Sequence, residues 1–433
     1  MTGPAVTRRS LLKAAGPLLL PAAGAVPLAA AGCAARDDPV EIFVMWSGGE
    51  LAAFLDTMDE FERETGRRTR TVPVGEQVRE LLRARFNANN PPDLAIVPLP
   101  GLIREYARNG RVMELDPAAG RHIPASLNQT VTVDGRLYGL WVKAAHKSLF
   151  WYRPSALAGA GPPATWGELV SLLRRAAGAG QPPLSIGAAD GWVLTDWFEN
   201  VLAGLDGGAT YQRLAAGEDL WASDVVTAAL VRLAEVWSIP GVFPYGPRRA
   251  LLTQFEESVF EVFAECRSAV VFEGDFVDAV IGRLNAAGRL CEEPETFRVP
   301  PVTGGPPPLV VGGDVAARMN DSEGSRELVE WLARPESLAG WIKRAGFLSP
   351  NRTVPIGTYP PGRGQQLAAE LRAADQFLFD LSDQLGGRLS AGQGRGMTKI
   401  LTEFFQSVAT PGGHPDRPVR AAQRRLVDAA RGD

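Results

Sequence analysis

A chain of 433 residues, 45% of them hydrophobic and 22% charged, has the length and apolar content to bury a large core, in two or three domains or two large lobes. Its formal net charge of −4 is mildly acidic, which argues against nucleic acid as a partner. His122, His146 and His414 stand far apart and make no metal-ligand spacing, so neither a metal nor a cofactor is expected.

Residues 1–32 read as an export signal rather than as part of the fold. A basic head, Arg8-Arg9-Ser10-Leu11-Leu12-Lys13, precedes an uncharged Ala- and Leu-rich run from Ala14 to Ala31. The paired arginines resemble a twin-arginine signal, with Leu11 standing where Phe is usual. Ala29-Ala30-Ala31-Gly32 before Cys33 resembles a lipoprotein processing box, with Cys33 as the expected lipidation site. A permanent signal anchor is the alternative, and Pro17, Pro21 and Pro27 disfavour the spanning helix it needs. Residues 33–39 then form a tether. Cys266 and Cys291 remain, and outside the cytoplasm they form either one disulfide or two buried thiols; sequence spacing does not choose between the two.

Val40 to Trp46 is an apolar, β-rich run ending at Ser47-Gly48-Gly49-Glu50, which predicts a buried strand and a tight turn into a helix. Ser47 and Glu50 have capping-box spacing. Leu51, Phe54, Leu55, Met58 and Phe61 keep helical spacing up to Gly66. A strand over 69–74, a helix over 78–86, a strand over 94–97 and a helix starting over 103–107 complete a β-α-β-α-β-α pattern, that of a doubly wound α/β sheet. Asp134-Gly135 between alternating apolar residues predicts a hairpin over 133–138, and 148–152 a strand. Thr165 with Glu168 predicts a capped helix through Leu173. Short strands are expected over 184–187 and 269–272, and helices over 194–237 with a break at Asp206-Gly207-Gly208. Helices over 255–263 and 276–284 follow. After the Pro/Gly stretch 304–308 a strand begins at Leu309, and a helix covers 327–332. The tail is predicted helical over 368–385, 397–408 and 419–430.

Several of these segments together resemble the extracytoplasmic solute-binding proteins of carbohydrate ABC importers, the maltose-binding type. They include Phe61-Glu62-Arg63-Glu64-Thr65-Gly66, Pro92-Asp93-Leu94-Ala95-Ile96, Gly110-Arg111-Val112-Met113-Glu114-Leu115, Val133-Asp134-Gly135-Arg136-Leu137-Tyr138-Gly139 and Ala164-Thr165-Trp166-Gly167-Glu168. Further on come Phe272-Glu273-Gly274-Asp275-Phe276, Gly312-Gly313-Asp314 and Gly346-Phe347-Leu348-Ser349-Pro350-Asn351. The order and spacing over residues 40–351 carry the resemblance, and Asp196-Trp197-Phe198-Glu199 with Gly313-Asp314 looks like the α-glucoside branch. The resemblance implies a two-lobed α/β fold of the class II periplasmic-binding-protein type, each lobe a sheet flanked by helices, with the ligand cleft between lobes. It assigns 40–142 with 309–350 to lobe 1 and 143–308 with 351–433 to lobe 2.

A sugar presents hydroxyls that donate and accept, and flat patches of C–H, so its site pairs carboxylates and amides with aromatic faces. Turns at the carboxyl ends of strands are the expected positions. Trp46, Ser47 and Glu50 sit at the first such turn, as a cleft edge or as a core ring and a helix cap. His146 and Lys147 lie near the lobe crossover, as cleft contacts or as a solvated loop. Trp192 and Asp196 are spaced to share a helix face, a ring with a carboxylate beside it; Trp197 is a second platform or a core residue. Asp275 leaves a strand beside Gly274, as a hydroxyl acceptor or a helix cap. Gly313 and Asp314 repeat that arrangement on the other lobe.

The resemblance therefore implies a lipid-anchored substrate-binding component of a carbohydrate importer, exported to the outer face of the cytoplasmic membrane. A sugar or oligosaccharide would be its ligand and the ABC permease transmembrane subunits its partners. The protein is expected to be a monomer with no catalytic residues. The alternatives are a secreted lipid-anchored glycoside hydrolase, which needs two carboxylates about 5–9.5 Å apart, and a sensor lipoprotein without transport.

Overall fold

The computed structural model describes residues 38–432 except 158–160, 306, 375–376, 390–395 and 411–414, so the expected export signal and Cys33 lie outside the described residues. The apolar run Val40–Val44 forms β1, with every residue buried. It is buried on both faces because it lies inside a sheet, parallel to β2 (Thr69–Pro73) on one side and to β3 (Leu94–Val97) on the other. The remaining strands, in chain order, are β4 (Thr132–Val133), β5 (Arg136–Leu137), β6 (Leu140–His146), β7 (Leu149–Tyr152), β8 (Leu184–Ser185), β9 (Val270–Phe272), β10 (Glu295–Arg298), β11 (Leu309–Arg318) and β12 (Phe377–Phe379).

Two main sheets build a two-lobed α/β architecture. The first runs β12-β11-β3-β1-β2, with β6 also paired to β11; the second runs β10-β7-β9-β8. β6 and β7 are separated only by Lys147 and Ser148, so the chain passes there from one sheet to the other. Strand alternation divides β7 between two apolar cores: Leu149 and Trp151 join the first, Phe150 and Tyr152 the second. Helices Gly48–Thr65, Val78–Asn87 and Pro100–Arg108 contribute their buried faces to the first core. Trp192–Asp206, Asp224–Trp237, Gly396–Ala409 and Asp416–Arg431 build the second.

Local chemistry explains most of the boundaries. Asp134 and Gly135 both adopt positive φ, 50° and 77°, as a two-residue hairpin turn requires. Thr165 caps Trp166–Gly178 by accepting from the Glu168 N–H. Positive φ at Gly207 and Gly208 ends Trp192–Asp206, as the Gly pair predicts. Cys266 and Cys291 form a disulfide, with Cα atoms 6.4 Å apart.

The tail departs from expectation. The span 368–385, predicted as one helix, is instead the helix Arg363–Ala373, strand β12 and the short helix Leu381–Gln384. Phe377-Leu378-Phe379 is a wholly buried run that pairs in parallel with β11, and tertiary pairing overrides local helix propensity. β12 thus joins the first sheet, although it falls within the 351–433 share of the second lobe.

Candidate functional site

Four strand ends and the helix starts beside them converge on one cavity of about 770 Å³. Trp46, Ser47 and Glu50 enter it after β1, Pro98 and Leu99 after β3, Phe276 after β9, and Asp380, Ser382 and Asp383 after β12. This is the crevice outside the carboxyl ends of strands where α/β folds bind ligands. The volume lies within the range of small-molecule sites.

The strand β6 and its extension supply the floor. Alternation sends Lys143, Ala145 and Lys147 toward the cavity and His146 to the opposite face, where its ring is fully buried. Opposite Ala144 on β11 stands Gly313, whose φ of 151° and lack of a side chain let the strands close; a Cβ there would lie 2.1 Å from the Lys143 carbonyl.

Each lysine anchors a cluster. Lys143 contacts Glu50 directly, lies 3.7 Å from Asp314 and stands 5.7 Å from the centre of the Trp46 ring. The Trp46 indole N–H donates to Asp314 at 3.3 Å. Lys147 lies 3.0 Å from Asp196 and 2.5 Å from Asp380, and 5.6 Å from the Trp192 ring. Both ammonium groups are within cation–π range of their indoles. Phe255 and Phe276 pack on Trp192 at centroid distances of 5.8 and 5.6 Å and line the cavity with it.

Burial sets the charge states. It opposes the ammonium of both lysines, but the carboxylates around them outweigh it and hold both above the usual lysine range. Burial pushes Asp314 up to about 6 and Asp196 to about 7, against the pull of Lys143 and Lys147 respectively. Asp380 is buried too, yet Lys147, the Ser382 hydroxyl and the Asp383 N–H hold it below its ordinary value. Oxygens of Asp196, Glu199 and Asp380 lie within 4.8 Å of one another, a spacing that suits a cation. Lys147 already bridges Asp196 and Asp380, while Glu199 accepts from the N–H groups of Leu381 and Ser382 and from the Tyr211 hydroxyl. The protein itself supplies the positive charge of that cluster.

Of the residues singled out from sequence, Trp46, Ser47, Glu50, Lys147, Trp192, Gly313 and Asp314 line the cavity. Ser47 makes no side-chain cap, and Glu50 binds Lys143 instead, so the capping box does not form. Asp196, Trp197, Asp275 and His146 are not in the wall. Asp196 sits one helical turn past Trp192, buried against Lys147. Trp197 faces the opposite side of that helix and packs against Phe150, Trp237 and Phe272. Asp275 is buried and accepts from the His146 N–H at 2.8 Å, and the His146 ring lies 3.5 Å from Glu370. Lys143, Phe255, Asp380 and Asp383 also line the cavity, although nothing in the sequence pattern assigns them to the site. A carboxylate directly after Phe377-Leu378-Phe379 is the signal that would have found Asp380: a β-rich run, then an acid at its end.

The profile of the bacterial extracellular solute-binding proteins matches residues 47–338. The osmoprotective compounds-binding protein GgtB of Synechocystis sp. is 29% identical over 326 residues, covering 72% of this chain and 76% of the relative. The alpha-glucosides-binding periplasmic protein AglE of Rhizobium meliloti is 27% identical over 380 residues, covering 82% of each chain. Among solved structures, that of the bacterial solute receptor AcbH, described with an exclusive preference for β-D-galactopyranose, superposes with a TM-score of 0.75 at 16% identity. The match covers 91% of this chain and 98% of AcbH. Two lobes, a cavity at their strand ends and a profile match over most of the chain agree: this chain belongs to the bacterial extracellular solute-binding protein family.

Proposed function

We propose that this protein is the lipid-anchored, sugar-binding component of a carbohydrate ABC importer. The observation that carries the reading is the doubled arrangement in one cavity: an indole face with Lys143, Glu50 and Asp314 at Trp46, and an indole face with Lys147 and Asp380 at Trp192. Aromatic faces suit the C–H surface of a sugar, and fixed carboxylates suit its hydroxyls. The sugar-related names of relatives such as the alpha-glucosides-binding protein support the same class of ligand.

In this reading the ligand bridges the Trp46 set of the first lobe and the Trp192 set of the second. It therefore binds the closed arrangement more tightly and shifts the population toward it. The lobes divide as 40–142 with 309–350, and 143–308 with 351–433, the strand β12 returning to the first sheet. The closed form is delivered to permease subunits, Cys33 carries the lipid, and the protein acts as a monomer at the outer face of the cytoplasmic membrane.

Thermal unfolding of the purified protein against mono- and oligosaccharides tests the reading. A ligand at a hundred times its dissociation constant adds about 2.7 kcal/mol to the native state, so a selective rise in midpoint is expected with one sugar class. A flat response across the panel, or turnover of an aryl glucoside, contradicts it. Radiolabelled palmitate incorporation that persists in Cys33→Ser would contradict the anchor.

A further inference from the structure

The carboxylates of the cavity wall differ in one respect: whether the protein already holds them. Lys143 takes Glu50 and Asp314, Lys147 takes Asp380, and Arg283 takes Glu256 at 2.5 Å. Asp190 accepts from the Phe255 N–H at 2.6 Å, and Glu80 has a protein partner as well. Asp383 stands apart. Its N–H is fixed on Asp380 Oδ1 at 3.0 Å, but its carboxylate has no hydrogen-bond or ion-pair partner among the described residues.

The position is built rather than loose. The turn that presents Asp383 packs on Gly101, where a Cβ would come within 2.9 Å of the Gln384 carbonyl and 3.2 Å of the Asp383 carbonyl. A half-buried carboxylate on a packed turn in the cavity wall, lacking a protein donor, is completed by a donor that arrives with the ligand. Burial and the neighbouring Asp380 carboxylate raise its proton affinity, so its anion is stable only beside a donor, and the same acidic surroundings oppose a ligand carboxylate. The wall as a whole has seven carboxylates and five cationic side chains, and all five cations are engaged with acids or other partners, so an anionic ligand finds no free counter-charge.

Building on the sugar-binding reading, we propose that Asp383 is the residue that selects the ligand by charge. It accepts from a ligand hydroxyl, tolerates an ammonium in that place and rejects a carboxylate. The ligand class is thus a neutral or amino-substituted polyhydroxylated compound, and uronic acids are excluded.

Isothermal titration of the purified protein with maltose, glucose, glucosamine and glucuronate tests this, using the wild type, Asp383→Asn, Asp383→Ala and Trp192→Ala. The wild type should bind a neutral sugar and discriminate against glucuronate. Asp383→Asn should weaken neutral-sugar binding about 10- to 100-fold and narrow the gap to glucuronate, with an unchanged midpoint of unfolding in the absence of sugar. If Asp383→Asn keeps the wild-type affinity and selectivity while Trp192→Ala loses binding, the sugar reading stands and the role of Asp383 falls. If the wild type binds none of the four, both fall.

Discussion

Lys143 on β6 and Lys147 directly after its last residue both send their ammonium groups into one cavity, 5.7 Å from the Trp46 ring and 5.6 Å from the Trp192 ring. The two tryptophans belong to different cores, yet the lysines that organise their surroundings share a rigid backbone. The strand pairs along β11 on one side, so the two lysines are carried on one continuous, sheet-anchored stretch of backbone.

Lys147 is the keystone of the second half. Replacing it with Met leaves Asp196 and Asp380 buried beside each other without a cation, which should cost about 3–5 kcal/mol. Denaturant unfolding measures this. Adding Asp380→Asn to Lys147→Met should recover part of the loss, because one of the two stranded charges is then gone.

Gly313→Ala should destabilise the floor of the site. The new Cβ would meet the Lys143 carbonyl at 2.1 Å at a φ of 151°, and backbone cannot yield as a flexible side chain does. A loss of at least about 2 kcal/mol is expected. Gly357→Ala, where a Cβ meets nothing within 4 Å, is the control and should change stability by less than about 0.5 kcal/mol.

Asp275 should make stability depend on pH. Burial raises its folded value from 3.8 to about 7, opposed by the His146 N–H and Lys143. Between those values the folded protein holds a proton that the unfolded chain has released, so this group's contribution falls as pH rises from about 4 to about 7. Asp275→Asn, which keeps an acceptor for the His146 N–H, should flatten that part of the stability–pH curve, by at most about 4 kcal/mol. A curve with the wild-type slope would contradict the assignment.

The two tryptophans of one helix should separate binding from stability. Trp192 lines the cavity, so Trp192→Ala should abolish ligand binding at modest cost to the fold. Trp197 is 1% exposed among aromatic rings, so Trp197→Ala should cost about 3–5 kcal/mol. Paired titration and unfolding experiments read the two effects independently.

The sequence carries the β-α-β opening, the Asp134-Gly135 hairpin and the Gly207-Gly208 break plainly, because each rests on local chemistry: a buried run, a turn with positive φ, a helix stop. It hides β6, because Leu140–His146 is buried on both faces and shows no alternation that would mark Lys143 and Lys147 as neighbours. It also hides β12 and the acids after it, since a short buried strand gains its identity only by pairing with β11. Spacing correctly puts Trp192 and Asp196 on one side of a helix, but the depth of Asp196 is a tertiary fact. Glu50 has capping spacing, yet a buried ammonium is a stronger partner than a backbone N–H, and Lys143 takes it.

The most direct test of the account is calorimetric titration of the wild type and Trp192→Ala with maltose and related α-glucosides, alongside thermal unfolding. The account predicts saturable one-to-one binding by the wild type, a ligand-dependent rise in its midpoint, and loss of both in a folded Trp192→Ala. Undiminished binding in Trp192→Ala would place the ligand elsewhere, and no binding of any sugar by a well-folded wild type would contradict the account as a whole.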